Sequence, residues 1–203
     1  MLSTPGRYRS GESFLTWDGS KYVAHSSEGG HSDFAPTDER QIGMLKYMVE
    51  RFDHVGVERV CSGIGIPNIY AYLRDIEGIQ EDMEGSHFIA SAKDLTPIIT
   101  NAALDPSHSS KLCAATIETF ISILASETAN LALKVLATGG MYLAAGIPLH
   151  PLGVLKGARF IKSFTRKGRF SGVMERIPVH VILTSGALVG AAAIGLEQFN
   201  WEI

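Results

Sequence analysis

Glu28-Gly29-Gly30-His31 sets a carboxylate and an imidazole on either side of two glycines. A carboxylate can accept hydrogen bonds from two neighbouring sugar hydroxyls, and an imidazole can add a polar contact at the same ring edge. The glycines let the backbone turn tightly enough for both side chains to face one cavity. Taken alone, such a tetrapeptide is more often a surface turn. His25 suggests a metal site with it, but no second pair of ligands stands at a metal-binding spacing. Glu58 follows, with Ser62-Gly63-Ile64-Gly65 behind it. A carboxylate at the end of a strand beside a glycine turn suits a ligand cleft, and a salt bridge to Arg59 or Arg51 explains it equally well. Gly63-x-Gly65 lacks the third glycine and the following acid of a dinucleotide fingerprint. A third group, Thr138-Gly139-Gly140 and onward to Gly146-Ile147-Pro148, would let a flat ligand approach the backbone closely. Helix capping and strand termination account for the same glycines.

These residues must be held by regular elements, and the pattern of the chain predicts which. Residues 14–17 read as a strand, Asp18-Gly19 as a hairpin turn and residues 21–24 as the return strand. Residues 28–31 are too polar and glycine-rich for a regular element. Thr37 reads as a helix N-cap, with Asp38 and Glu39 at the positive end of the dipole. Ile42, Leu45, Met48, Val49 and Phe52 form that helix's apolar stripe, to about residue 52. Residues 58–61 read as a short strand, 62–67 break it, and a helix restarts over 68–74. Residues 75–93 are polar and irregular. A helix over 95–104 stops at Asp105-Pro106-Ser107. Residues 112–136 are the strongest helix, striped by Ile117, Phe120, Ile121, Leu124, Leu131 and Val135, and Gly139-Gly140 ends it. A buried strand over 141–145, a basic helix over 153–164, a strand over 179–183 and a small-residue helix over 187–199 complete the chain. A hairpin followed by helices alternating with single strands predicts an α/β or α+β architecture, with helices covering a sheet.

The 203 residues are 45% hydrophobic and 19% charged, the balance of a folded chain long enough for one large domain and its core. The net charge of −3 offers no basic excess for nucleic acid. The densest positive stretch, Lys162, Arg166, Lys167 and Arg169, reads as a solvated loop or helix end. Cys61 and Cys113 stand far apart and without a CxxC motif, as thiols of a reducing compartment do, which points to the cytoplasm. The N-terminal residues hold no apolar core of signal-peptide length. The two most apolar windows, 141–155 and 181–196, fall short of a membrane span and contain Gly, Pro or His, so they read as buried core rather than as membrane contacts.

In combination the three groups point further. Residues 28–36, EGGHSDFAP, resemble the EGGHxDFAP stretch of bacterial glucokinases. Residues 58–63 with Asn68-Ile69-Tyr70 resemble that family's ERVxSGxGxxNxY segment, and residues 130–148 its NLAL…TGGxYxxGGIP adenosine-site region. Residues 167–170, 177–181 and 188–192 match its closing pattern, so the likeness covers about residues 11–199. The cysteine-rich zinc motif of the related repressor-and-kinase group is absent. The resemblance implies an actin/hexokinase-type, ribonuclease-H-like large domain, and phosphorylation of glucose at its 6-hydroxyl with ATP and Mg²⁺, a glycolytic reaction. It implies that Glu28, His31 and Glu58 hold the sugar hydroxyls and that Thr138, Gly139 and Gly140 lie near the nucleotide. In that mechanism an aspartate takes the proton of the attacking hydroxyl, while Mg²⁺ and backbone amides stabilise the phosphoryl group in transfer. Such enzymes are often homodimers.

Two departures qualify the expectation. Nothing in residues 1–30 matches the family's small N-terminal domain, with its own phosphate loop and catalytic Asn-Asp pair. The whole chain, 1–203, is therefore expected to be the large domain with a C-terminal helix, and no catalytic residue is identified. Where the family has a GTGLG-like phosphate loop, residues 5–12 read PGRYRSGE, so 1–10 is divergent and the likeness resumes at Gly11. Arg7, Tyr8 and Arg9 in place of glycines remove the backbone freedom that wraps a phosphate. Ala145 stands where glycine is usual. Asp33 is the tempting substitute base, but the family carries an acid there alongside its real base. Losing a positioned base costs roughly 10²–10⁴-fold in rate, so the expectation is a truncated, impaired glucokinase chain. The alternative is a catalytically inactive protein that binds sugar or dimerises. The acids named read hydroxyls that several hexoses share.

Overall fold

Asp18 and Gly19 turn the first strand back on itself. The computed structural model describes residues 11–80, 94–105, 110–144, 157–183 and 190. In it β1 (Glu12–Trp17) pairs antiparallel with β2 (Tyr22–Ser27), from Glu12 opposite Ser27 to Trp17 opposite Tyr22. Gly19 takes φ +106°, and Asp18 Oδ1 accepts from the amides of Ser20 and Lys21 at 2.8 and 2.9 Å, which is how an Asp-Gly pair closes a turn. There follow α1 (Glu39–Val49), α2 (Gly65–Asp75), α3 (Thr96–Leu104), α4 (Lys111–Lys134), β3 (Met141–Ala144), α5 (Ala158–Thr165), α6 (Ser171–Met174) and β4 (Val179–Ile182). Strands β3 and β4 run parallel, with Met141 opposite Val179 and Ala144 opposite Ile182. The described residues are thus mixed α/β, with two separate two-stranded sheets.

Helix α4 is the axis, and α2, α3 and α5 all pack on it. Large side chains (Leu112, Ile117, Phe120, Ile121, Ile123) fill its N-terminal half and small ones (Ala125, Ala129, Ala132) its C-terminal half, all of them buried. Thr116 and Thr128 are buried because each hydroxyl donates to the carbonyl four residues back, at 2.8 and 2.7 Å. By length and composition α4 is apolar enough to cross a membrane, but most of it is buried inside the molecule, where it serves as a core helix.

Several expectations are corrected. The N-cap of α1 is Asp38, whose side chain accepts from the Gln41 amide at 2.9 Å, while Thr37 donates to the Gln41 side chain. The inward face of α1 is Gln41, Met44, Tyr47 and Met48, whereas Ile42 and Val49 stay exposed. An apolar template misses this rotation because polar Gln41 belongs to the buried face. Residues 58–61 are not a strand. A 3₁₀ turn, Val57–Arg59, is closed by Val60 and Cys61 amides donating to Val57 O, and Ser62 Oγ donates to Glu58 O at 2.6 Å, so these carbonyls need no neighbouring strand. Helix α4 ends at Lys134, before the glycines: Leu136 takes φ 49° and Ala137 N donates to Ala132 O at 2.9 Å. In β3 only Met141 is buried, and Tyr142 is exposed. The positive stretch is not all solvated, since half-buried Lys167 bonds to Asn130 and Ser126 of α4. The phosphate-loop region 1–10, the irregular stretch 81–93, Ala145, the Gly146-Ile147-Pro148 turn and the helix expected over 187–199 (Gly190 excepted) lie outside the described residues.

Candidate functional site

The turn that carries Glu28 and His31 is a short 3₁₀ helix, Gly29–His31. His31 N donates to Glu28 O at 2.9 Å and Ser32 N to Gly29 O at 3.0 Å. The chain then runs beside residues 55–57. Phe34 N donates to Val55 O at 3.0 Å, Val57 N donates to Ser32 O at 2.9 Å, and Asp33 bridges Gly56. Gly56 permits this approach, because a side chain there would press on His31 O and Ser32 O, both 3.3 Å away. The next residue but one is Glu58, so two backbone hydrogen bonds deliver it to the Glu28–His31 turn.

The result is an imidazole between two carboxylates. His31 Nε2 stands 4.0 Å from Glu28 Oε2, and His31 Nδ1 stands 3.9 Å from Glu58 Oε2. Both gaps are too long for a hydrogen bond. A hydroxyl oxygen placed in either could lie about 2.8 Å from both sides, within bonding range. The side chain of Glu28 is 88% exposed and that of His31 62%, but Glu58's is only 15% exposed, so Glu58 is the anchored member. The sequence-predicted trio is brought together.

Other expected residues fall differently. His25 Nε2 shares a hydrogen bond with the Thr16 hydroxyl at 2.8 Å, and its ring stacks on Phe14, both contacts across the hairpin. Among the described residues no three His, Cys, Asp or Glu side chains come together to hold a metal ion. Glu58 forms no salt bridge with Arg59 or Arg51 among the described pairs; Arg59 lies over the Phe52 ring instead. Asp33 pairs with His54 at 2.9 Å, on the surface. His54 was not singled out from sequence, since a lone histidine outside any motif gives no signal.

Thr138 and Gly139 sit on an exposed turn between α4 and β3. Nothing lies within 4 Å of where a Gly139 side chain would stand, so a flat group can reach this backbone. Gly140 takes φ +127°, and a side chain there would meet Pro178 at 3.2 Å. Its conformation and its packing both require glycine. Tyr142 stacks on His180 across the β3–β4 pair, ring centroids 4.9 Å apart.

Sequence reasoning also missed a carboxyl pair behind the Glu28–His31 turn. Glu12, at the start of β1, lies against Gly29 and reaches Glu127 of α4. Burial and the charge of Glu127 push the Glu12 carboxyl above its ordinary value, with Lys134 acting the other way. Burial likewise pushes the Cys61 thiol up to about 12, with Glu127 and Glu12 adding to the shift.

The Glucokinase family profile matches residues 10–198. The chain is 37% identical to a glucokinase of Trichormus variabilis over 90% of its own length and 56% of the relative's. It is 36% identical to one of Helicobacter pylori over 90% of its own length and 52% of the relative's. Among solved structures, a glucokinase from an Antarctic psychrotroph superposes with TM-score 0.74 at 27% identity, covering 91% of this chain and 54% of that one. A glucokinase from Balamuthia mandrillaris, solved in complex with glucose, shares the fold with TM-score 0.70 at 18% identity, over 89% of this chain and 49% of that one. The fold is shared with solved glucokinases. The chain belongs to the glucokinase family, and it spans about half the length of the curated relatives it matches.

Proposed function

We propose that this chain is the sugar-binding part of a glucokinase that phosphorylates glucose at its 6-hydroxyl with ATP, in the cytoplasm. The observation that carries the reading is His31 held 4.0 and 3.9 Å from the carboxylates of Glu28 and Glu58. Both carboxylates accept hydroxyl hydrogens, and the imidazole supplies a donor or an acceptor between them. Bidentate acceptance from neighbouring hydroxyls fixes the ring and orients its remaining hydroxyl. Half-buried Glu58 does this with little loss of side-chain freedom, whereas exposed Glu28 must be ordered by the ligand.

Thr138, Gly139 and Gly140 are the residues that would hold the nucleotide, which supplies the phosphoryl group together with Mg²⁺ when bound. The exposed, open backbone at Gly139 suits that contact. The architecture we infer for residues 1–203 is a ribonuclease-H-like large domain of the actin/hexokinase type, and the partner we infer for it is a second copy.

No residue of this chain matches the family's catalytic aspartate, so the 203 residues assayed by themselves should bind glucose and turn it over slowly or not at all. Calorimetric titration with glucose and a coupled assay with glucose and Mg²⁺-ATP test this on the purified chain. Binding lost in Glu58→Gln, with turnover at least 10²-fold below an intact relative, supports the reading. Unchanged binding in Glu58→Gln removes the sugar site. Full turnover shows that another residue, Asp33 first, serves as base.

A further inference from the structure

The Glu28–His31 turn is held from behind by an acid. The space that a Gly29 side chain would take is filled by the Glu12 carboxyl. From there Glu12 extends into hydrogen-bonding reach of Glu127 on α4. Glu127 is only 12% exposed. Its Oε2 accepts from Asn130 Nδ2 at 2.9 Å, while its Oε1 is buried and has no hydrogen-bond partner. Lys134 Nζ lies 3.8 Å from Oε1, close enough for attraction and too far for a hydrogen bond. Lys167 donates to Asn130 Oδ1 and Ser126 Oγ, at 2.5 and 3.3 Å, and its charge also acts on Glu127 without a hydrogen bond to it. Buried Cys61 faces the same group.

Two carboxylates in a half-buried site, with two lysines nearby but neither hydrogen-bonded to them, do not both ionise readily. A buried oxygen without a donor is costly as well. One proton resolves both problems, because protonated Glu12 can donate to Glu127. We propose that Glu12 and Glu127 hold one proton between them, and that this clasp ties the Glu28–His31 turn to α4, making Glu12 a positioning residue of the sugar site. The proposal rests on the reading of that turn as the sugar site. Loss of the proton leaves two like charges facing each other, and the turn loosens. The upward displacement of Glu12 sets the sign. The pair keeps its proton below the raised value and loses it, and the clasp with it, as pH rises through that value.

The test is a pH titration of the chain with ¹³C-labelled glutamate carboxyls, followed by NMR together with the Gly29 and Gly30 amides. Calorimetry with glucose on the wild type, Glu12→Gln, Glu12→Ala and Glu58→Gln runs beside it. One carboxyl of the pair should titrate above the ordinary range, moving back toward it in Glu127→Gln. The Gly29 and Gly30 amides should shift over the same pH window. Glucose affinity of the wild type should fall through that window. Glu12→Gln, whose amide donates as the protonated acid does, should keep the low-pH affinity at every pH, and Glu12→Ala should lose at least fivefold. Two carboxyls titrating independently in the ordinary range, or glycine amides indifferent to the titration, overturn the clasp. If glucose does not bind, or binds equally well to Glu58→Gln, it is the sugar reading that falls, and the carboxyl and glycine resonances still decide the clasp.

Discussion

Glu28 and Glu58 flank the same imidazole but differ in how far each is already held in place. Glu58 is held in place before any ligand arrives, because only 15% of its side chain is exposed and its own carbonyl is tied to Ser62. Glu28 is 88% exposed. Neutralising Glu58 should therefore weaken glucose binding at least tenfold, about 1.4 kcal/mol, while Glu28→Gln should cost only a few-fold; calorimetric titration of the two variants gives the comparison. Gly65 is a structural counterpart. A side chain there would stand 2.6–2.9 Å from the backbone of Val60, which is locked by hydrogen bonds and has no room to yield. Gly65→Ala should destabilise the fold by about 2 kcal/mol, as overpacking does, seen as a lower midpoint in urea unfolding followed by circular dichroism.

Helix ends decide how the site is delivered. Helix α1 begins just after the Asp33–Gly56 bridge, and Asp38 caps it by accepting from the Gln41 amide. Asp38→Ala should cost about 1 kcal/mol, and Thr37→Ala less, since Thr37 bonds to a side chain rather than to the helix backbone; denaturant midpoints separate the two. At the other end of the core, α4 closes through Leu136 in the left-handed region, φ 49°, with the side chain exposed. A leucine there carries strain that glycine avoids. Leu136→Gly should stabilise the chain by about 0.5–1 kcal/mol, the relief of strain exceeding the added freedom of the unfolded chain, again read from denaturant midpoints.

Across the whole molecule, stability is concentrated around α4. Three helices bury it, whereas the hairpin leaves Leu15, Trp17 and Tyr22 exposed. Amide hydrogen exchange should be slowest in α4, at the rate of global unfolding, and faster by orders of magnitude in β1 and β2. Equal protection in the hairpin and in α4 would contradict this division. The candidate sugar site stands between these regimes. Its turn follows the hairpin directly, and its tie to α4 runs through Glu12.

The local signals in the chain were strong where one residue type has one physical use. Asp18-Gly19 closed the hairpin, the apolar run of 111–134 made a helix, and Glu28, His31 and Glu58 were legible as polar residues at glycine turns. Sequence alone determined the hairpin and the helix because turn conformation and helical propensity are local properties. Only the tertiary structure decided that residues 57–59 curl into a 3₁₀ turn instead of a strand, that Gln41 faces inward, and that Leu136 rather than a glycine ends α4. It alone set Glu12 against Gly29 and Glu127. These outcomes depend on which distant groups are packed alongside, and a one-dimensional pattern of apolar and polar residues carries no record of that.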